Sequence, residues 1–179
     1  LRNVTGVQTC ALPISAIRRG LAVDRDEDLE VCDLPGLYEL DTRSPEAEVV
    51  LQALQDPAAP PDAIIVVVDA CNLARNLVLC GAVLARRAPV VVALNMMDTA
   101  KSRGLAIDVP ALSSQLGCPV VPVIARRGVG LNELRIVIDG VLTAPHRAPA
   151  GLPETPTLEQ LNGWADRVAA SCTSGGDLA

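Results

Sequence analysis

The sequence predicts an α/β fold in which helices cover a mostly parallel β-sheet. Two observations lead to this prediction. From residue 29 onward, short and nearly continuous apolar runs alternate with segments of helical character, and this alternation is typical of a parallel sheet with helices on its faces. Polar residues follow the apolar runs, and parallel sheets bind their ligands at the carboxyl ends of the strands.

Four strands are expected, because each apolar run is continuous, as in strands that are buried on both faces. They are Leu29–Cys32, Ile64–Val68, Val90–Leu94 and Val120–Ile124. The expected helices are Pro45–Gln55, Leu73–Arg87, Val109–Leu116, Leu131–Leu142 and a short one at Leu158–Ala170. Ser44 and Asp108 directly precede two of these helices and are expected to cap them, since Ser and Asp accept hydrogen bonds from free N-terminal amides.

Composition limits the class of protein. Half of the 179 residues are hydrophobic, which suffices for one domain with a core. The formal net charge of −6 argues against a nucleic-acid partner, because neutralising phosphates requires clustered Lys and Arg. No apolar run reaches the roughly 18–20 residues of a membrane span. The six cysteines lack the spacing of a metal or disulfide framework and are interpreted as buried apolar residues in a reducing cytosol.

Residues 1–15 are interpreted as an artefact. The eleven-residue run Val4–Ile14, VTGVQTCALPI, resembles the in-frame translation of a common sequencing adapter. The segment has no helical or strand periodicity, and it lacks the charged and apolar regions of a signal peptide. We therefore expect native sequence to begin near Ala16.

The turn Asp33-Leu34-Pro35-Gly36 follows the first predicted strand. A carboxylate at this place can reach the hydration shell of a phosphate-bound Mg²⁺ ion, and a glycine amide can approach a terminal phosphate closely. Turns after strands also carry Asp and Gly for conformational reasons alone. Taken by itself, the motif leaves a purely structural role open.

The loop Asn95-Met96-Met97-Asp98 follows the third predicted strand. A carboxylate at Asp98 can accept hydrogen bonds from the ring N–H and the exocyclic amine of guanine, and adenine offers no such pair of donors. Because an unpaired buried carboxylate costs about 1–3 kcal/mol or more, a site of this kind rejects the wrong base. The alternative is a helix N-cap, in which Asn or Asp holds free amides.

A third polar loop, Ile124-Ala125-Arg126, follows the next strand, where the Ala125 amide can contact the carbonyl oxygen of guanine. The three loops occur in the order that a guanine-nucleotide site requires. Together they predict a guanine-nucleotide-binding fold.

Three segments resemble the ferrous iron transport protein B family. Val31–Val50 is similar to that family's third GTPase motif and second switch, VDLPGxYSLxxxSPEE, and Val67–Leu79 is similar to its VVDAxNLERNLYL. Val90–Leu134 contains NMMD, IDxxxLxxxLGxPVVP and ARxGxGxxEL in the family's order. The resemblance covers roughly Ala16–Leu142, and it implies a GTPase-like fold of the phosphate-loop (TRAFAC) class that is truncated at the N-terminus.

The resemblance implies a role for each loop. Asp33 would hold Mg²⁺ through a water molecule, and Gly36 would sense the γ-phosphate, with Leu34 and Pro35 in the same turn. Asn95 and Asp98 would read guanine. Met96 and Met97 would pack beside the base. Ala125 would close the base pocket with its amide, and Ile124 and Arg126 would flank that pocket.

Three features of these loops predict weak binding or slow chemistry. Met96 and Met97 stand where many GTPases have Lys, although they agree with this family, and thioether packing there predicts weak nucleotide affinity. Ile124 stands where a small hydroxyl residue is usual. Leu37 cannot orient a water molecule as Gln does, which fits slow GTP hydrolysis.

The sequence also departs from the family, since it contains no Gly-x-x-x-x-Gly-Lys-Ser/Thr. That loop supplies amides and a lysine to the phosphates, and a direct magnesium ligand. We therefore expect this chain to bind GTP poorly and to hydrolyse almost none.

The resemblance implies a domain order: the artefact at 1–15, a partial GTP-binding domain at 16–144, a linker at 145–157 and the start of a helical spacer at 158–179. The intact protein would be an Fe(II) transporter at the bacterial inner membrane, and this domain would lie at the cytoplasmic face. Its ligands would be GTP or GDP with Mg²⁺, its partner the membrane-embedded portion of the same protein, and oligomerisation stays possible.

Two other functions stay open. A soluble GTPase for ribosome or tRNA work would be expected to carry a basic RNA-binding appendage, which this acidic chain does not show. A nucleotide-free pseudo-GTPase that serves in protein interactions would fit the missing phosphate loop. Genomic sequence upstream of Ala16 distinguishes these functions, and hydrophobic spans after Ala179 would decide the membrane question.

Overall fold

A computed structural model describes residues 2–8, 18–22, 29–37, 44–58, 60–142, 149 and 151–175. Its centre is a six-stranded sheet with the strand order β2-β3-β1-β4-β5-β7. The strands are β1 (Arg2–Gln8), β2 (Arg18–Ala22), β3 (Leu29–Leu34), β4 (Ala63–Asp69), β5 (Val90–Asn95) and β7 (Val120–Pro122). All neighbours in this sheet pair in parallel except β2, which runs antiparallel to β3.

Six helices and a second, small sheet complete the described fold. The helices are α1 (Pro45–Gln55), α2 (Leu73–Leu84), α3 (Met97–Ser102), α4 (Val109–Leu116), α5 (Leu131–Val141) and α6 (Leu158–Cys172). The small sheet pairs β6 (Ala106–Ile107) with β8 (Thr173–Ser174) in antiparallel fashion. Among the described residues, no helix has both the length and the apolar character that crossing a bilayer demands.

The predicted α/β class with a mostly parallel sheet is confirmed, and so are the four predicted strands. β4 and β5 reach one residue further than predicted, so that Asp69 and Asn95 are the last residues of their strands. β3 reaches two residues further than predicted, to Leu34, so that Asp33 lies in the strand and not in the turn after it. The predicted strand Val120–Ile124 is too long, because β7 ends at Pro122. Proline has no N–H to donate to the ladder.

The predicted helices are present, and both predicted caps are formed. The amide of Ala47 donates to Ser44 Oγ at 3.0 Å, and that of Ala111 donates to Asp108 Oδ1 at 2.9 Å. The prediction that the second helix reaches Arg87 is wrong: α2 ends at Leu84, and Arg87 adopts a left-handed φ of 59° two residues before Pro89. A residue in that conformation cannot continue a right-handed helix.

The ends of the last two helices differ slightly from the prediction. α5 stops at Val141, one residue early, and α6 continues past Ala170 to Cys172. The additional residues of α6 are held by a hydrogen bond, since the amide of Asp108 donates to the carbonyl of Cys172 at 2.8 Å. The chain then continues directly into β8.

Part of the segment that is interpreted as an artefact forms a strand, although its sequence shows no strand periodicity. Arg2–Gln8 forms β1 in the middle of the sheet, where it pairs with β3 on one side and β4 on the other. Ladder hydrogen bonds join main-chain groups, so that an extended segment without a periodic side-chain pattern can occupy this position whatever its origin. The adapter interpretation concerns origin and stays a prediction.

The sheet separates two apolar clusters. One face of β4 and β5, with Val66 and Val92, packs against α1, α2, α4 and α6. On the other face, Val91 and Val121 pack against Ile138 and Val141 of α5. Alternation of buried side chains between the two faces explains why the sequence of these strands is apolar at nearly every position.

Helix α6 lies against α2. Trp164 is 2% exposed, and it packs over Gly81 so closely that a Cβ atom at Gly81 would lie 2.8 Å from the indole ring. Thr157 and Gln160 form a reciprocal capping box at the start of α6. The preceding segment is also held, since Arg87 forms an ion pair with Glu154. The assignment of 145–157 to a linker and of 158–179 to a helical spacer stays a prediction.

Candidate functional site

Three polar residues, Asp33, Asp69 and Asn95, lie at the carboxyl edge of the sheet, where polar residues were expected to follow the strands. Asp69 and Asn95 are direct register partners at the ends of β4 and β5. Asp33 lies near the end of β3, and β1 and β4 separate it from β5. Three strand spacings correspond to roughly 14 Å, a distance comparable to the length of an extended nucleoside triphosphate. Asp33 and Asn95 thus lie at the same edge of the sheet, three strands apart.

A left-handed residue brings Asp98 next to Asn95. Met96 has φ 65° and ψ 26°, an uncommon conformation for a residue with a side chain. This turn reverses the chain from β5 into α3 within one residue and places Asp98 in the first helical turn. The strained residue thus sets the spacing between the two side chains that were predicted to read a base.

Both carboxylate oxygens of Asp98 accept a hydrogen bond. Oδ1 accepts the amide of Thr99 at 3.0 Å, and Oδ2 accepts Nη2 of Arg126 at 2.5 Å. The Asp98 side chain is 18% exposed, whereas that of Arg126 is 73% exposed. The hydrogen bond from the Arg126 guanidinium holds the pKa of the Asp98 carboxyl below its usual range, so that Asp98 is an acceptor at neutral pH.

A second contact joins the same two loops. Asn95 Oδ1 accepts the main-chain amide of Ala125 at 3.1 Å. This differs from the expectation that the Ala125 amide faces a ligand, because its single hydrogen is already donated. Among the described hydrogen bonds none uses the amide of Arg126 as a donor, which leaves that amide as the available one in the loop.

The loop that carries these groups is closed on itself. The amide of Ile124 donates to the carbonyl of Val129 at 3.0 Å, in an isolated bridge. Gly128 and Gly130 both have a left-handed φ, and a Cβ atom at Gly130 would lie 2.3 Å from the carbonyl oxygen of Pro122. The two glycines of the Gly-x-Gly sequence are therefore required by the backbone, a role that sequence analysis did not assign.

Asn76 is a further residue that sequence analysis missed. It is 2% exposed, its Oδ1 accepts the amide of Asp69 at 3.1 Å, and its Nδ2 donates to the carbonyl of Asn72 at 2.8 Å. The Asp69 carboxylate in turn accepts the amide of Cys71 and Nδ2 of Asn72. The signal was an Asn within the apolar helix α2, because a buried amide there requires partners.

The segment 33–37, which covers the end of β3 and the turn after it, has its polar group at the surface and its apolar residues inside. Asp33 is exposed, Gly36 is half-buried, and Leu34, Pro35 and Leu37 are buried. Burial of the three apolar residues fixes the turn while the Asp33 carboxylate faces solvent. Residues 38–43, which complete the predicted second switch, lie outside the described residues.

Comparison with known proteins identifies the family. The profile of the family described as ferrous iron transport protein B matches residues 15–138. The chain belongs to the ferrous iron transport protein B family. This match does not support the alternative assignment to a ribosome- or tRNA-associated GTPase. The match begins at residue 15, directly after the run Val4–Ile14 that resembles an adapter.

A curated relative and two solved structures illustrate the similarity. The Fe(2+) transport protein A/Fe(2+) transporter FeoB fusion protein of Porphyromonas gingivalis is 44% identical over 117 residues, which are 65% of this chain and 14% of that protein. The FeoB G-domain from Methanococcus jannaschii is 29% identical with a TM-score of 0.71, over 80% of this chain and 98% of that one. A mutant S. thermophilus NFeoB bound to GDP is 30% identical with a TM-score of 0.63, over 76% and 60% of the two chains.

These matches confirm the phosphate-loop GTPase type of fold. The chain spans a small part of its curated relatives, 14% of the P. gingivalis protein's length. The family's fold is thus established for this chain, whereas the activity of the whole protein is a matter for proposal.

Proposed function

We propose that this chain is the guanine-nucleotide-binding part of a ferrous iron transporter, and that the loops Asn95–Asp98 and Ile124–Arg126 bind the base. Support comes from a relative named as an Fe(2+) transporter and from a neighbour that was solved with GDP. The observation that carries the proposal is the half-buried Asp98 carboxylate, held beside Asn95 at the edge of the sheet.

The chemistry of the loops favours guanine. Asp98 is ionised at neutral pH and can accept both the ring N–H and the exocyclic amine of that base. Asn95 holds the neighbouring loop in place through the Ala125 amide, and the amide of Arg126 is then the donor for the guanine carbonyl oxygen. Met96 is 38% exposed beside these groups, where its flexible thioether side chain can pack on the base without strong geometric constraint.

The phosphate end of the ligand is assigned to the turn after β3. Asp33 is an exposed carboxylate at the strand end, which suits Mg²⁺, because that ion keeps several waters and uses few protein carboxylates. Mg²⁺ bound there would neutralise phosphate charge. Gly36 would place its amide near the terminal phosphate, and the buried Leu34 and Pro35 would keep the turn in position.

The intact protein would use the bound nucleotide to regulate iron transport. Its partner would be its own membrane-embedded portion, its location the cytoplasmic face of the inner membrane, and its hydrolysis slow. This chain by itself contains no Gly-x-x-x-x-Gly-Lys-Ser/Thr sequence, so we expect millimolar rather than micromolar nucleotide affinity and negligible hydrolysis.

Nucleotide selectivity tests the proposal. The ¹⁵N-labelled chain is titrated with GDP and with ADP, and the amide resonances of Asp98, Thr99 and Arg126 are followed by NMR. Two charge-assisted hydrogen bonds predict a preference for GDP of about tenfold or more, which Asp98→Ala abolishes. Asp139→Ala, which removes an exposed carboxylate on α5, is the control and keeps the preference. Equal binding of GDP and ADP by the unmodified chain would overturn the proposal.

A further inference from the structure

We propose that the side chain of Arg126 is an internal competitor of guanine, which occupies the base-reading carboxylate of Asp98 until a nucleotide displaces it. The inference rests on the proposed function and adds a residue that sets the affinity and selectivity of the base site. The proposed function uses only the main-chain amide of Arg126, whereas this inference concerns its side chain.

The contact places a guanidinium where the guanine edge is expected. Nη2 of Arg126 donates to Asp98 Oδ2 at 2.5 Å. A guanidinium presents adjacent N–H donors in one plane, as does the guanine edge with its ring N–H and exocyclic amine. A carboxylate oxygen can accept two hydrogen bonds, so the Thr99 amide at Oδ1 does not exclude a base. The Arg126 guanidinium does, because it takes the space beside Oδ2 that the edge of guanine would need.

The Arg126 side chain is free to move away from Asp98. Its side chain is 73% exposed, so that it can turn into solvent without breaking a packed surface. Its main-chain position is fixed independently, because Asn95 holds the preceding residue Ala125 and the Ile124–Val129 bridge closes the loop. The side chain can therefore leave while the main-chain amide stays in place to donate to the base.

The size of the effect follows from the exposure of the pair. Exposed ion pairs are weak, and the expected gain in affinity for the base on removing Arg126 is therefore about two- to fivefold. A gain of this size tunes selectivity and release without blocking the site. Arg127 is a matched control, since it is exposed in the same loop and forms no ion pair among the residues that the structure describes.

Binding of guanosine to the chain tests the inference. Guanosine is uncharged, so that removing a positive charge does not change phosphate attraction. We expect Arg126→Ala to bind guanosine about two- to fivefold more tightly than the unmodified chain, and Arg127→Ala to match the unmodified chain. If Arg126→Ala binds guanosine no more tightly than the unmodified chain does, the inference is wrong. The proposed function still stands in that case if the chain prefers guanosine to adenosine. If neither protein binds guanosine, both are wrong.

The pH titration of the Asp98 carboxyl carbon, followed by ¹³C NMR, tests the contact without any ligand. Arg126→Ala should raise the pKa of Asp98 towards its ordinary value, because the hydrogen bond from the guanidinium is the largest cause of the lowering. Arg127→Ala should leave it unchanged. An identical Asp98 pKa in Arg126→Ala and the unmodified chain would overturn the inference whatever the guanosine result.

Discussion

Asn95 Oδ1 and the amide of Ala125 lie 3.1 Å apart although thirty residues separate them in the chain. The bond joins the end of β5 to the loop after β7, and the amide of Val123 adds a second tie by donating to the carbonyl of Leu94 at 2.8 Å. The two loops of the proposed base site are thus held together by the Asn95 side chain and by a main-chain hydrogen bond, and not only by the ion pair of Asp98.

Asn95→Ala is expected to release the loop while leaving the carboxylate intact. Loss of one hydrogen bond of this kind costs about 0.5–1.5 kcal/mol, and amide hydrogen exchange at Ala125 should quicken accordingly. GDP should bind more weakly, since the Arg126 amide is no longer held. Asn132→Ala, at an exposed position on α5, is the control. Unchanged exchange at Ala125 in Asn95→Ala would show that the bond does not hold the loop.

Gly81→Ala is expected to loosen α6. The new Cβ atom would lie 2.8 Å from Trp164 and 3.0 Å from Leu161, and overpacking of this kind costs about 1–3 kcal/mol. Urea unfolding followed by Trp164 fluorescence measures the loss. Gly140→Ala is the matched control, because nothing lies within 4 Å of its Cβ position on α5, and it should be neutral or stabilising by about 0.5–1 kcal/mol. Equal midpoints for the two variants would contradict the packing described for α6.

Asn76→Leu is expected to destabilise the protein by about 1–3 kcal/mol, because the amide of Asp69 and the carbonyl of Asn72 lose buried partners. Chemical unfolding measures this loss. Asn162→Leu, at an exposed position on α6, should change stability little. A stability of Asn76→Leu equal to that of the unmodified protein would mean that the buried amide contributes nothing.

The thiols are expected to react in a fixed order. Burial raises the pKa of Cys118 to about 12 and that of Cys80 well above its ordinary value, so that neither forms thiolate near pH 8 in the folded protein. The half-buried Cys71 also has a raised pKa, from burial and then from Asp69, and its labelling should therefore increase with pH above 8. Peptide mapping after alkylation should find Cys71 labelled before the four buried cysteines that the structure describes, with Cys80 and Cys118 labelled only after denaturation. Early labelling of Cys118 would contradict its burial.

Sequence patterns predicted the larger elements well, because their signals are local. Continuous apolar runs marked β4 and β5, and Ser44 and Asp108 marked two helix starts that the structure confirms. Helix α3 was missed because its six residues, Met97–Ser102, are too few and too polar for an apolar periodicity. Strand β1 was also missed. Its formation depends on main-chain hydrogen bonds to both β3 and β4, and local composition does not show whether such partners exist.

The finer features of the site depend on contacts between distant residues. The spacing of Asn95 and Asp98 was informative, since the base-reading chemistry requires those side chains in that order. No local sequence pattern indicates that Arg126 pairs with Asp98 or that Trp164 packs on Gly81. Each of these contacts forms only when the sheet and helices are assembled.

The base preference of Asp98→Asn tests the central claim most directly. Xanthine carries a carbonyl where guanine has its exocyclic amine, so that an amide at position 98, with one acceptor and one donor, complements xanthine and mismatches guanine. Titrated with both diphosphates, the unmodified chain should prefer GDP, and Asp98→Asn should prefer XDP, with a change in the ratio of about tenfold or more. An Asp98→Asn chain that retains the unmodified ratio of GDP to XDP binding would contradict the assignment of this carboxylate to the base.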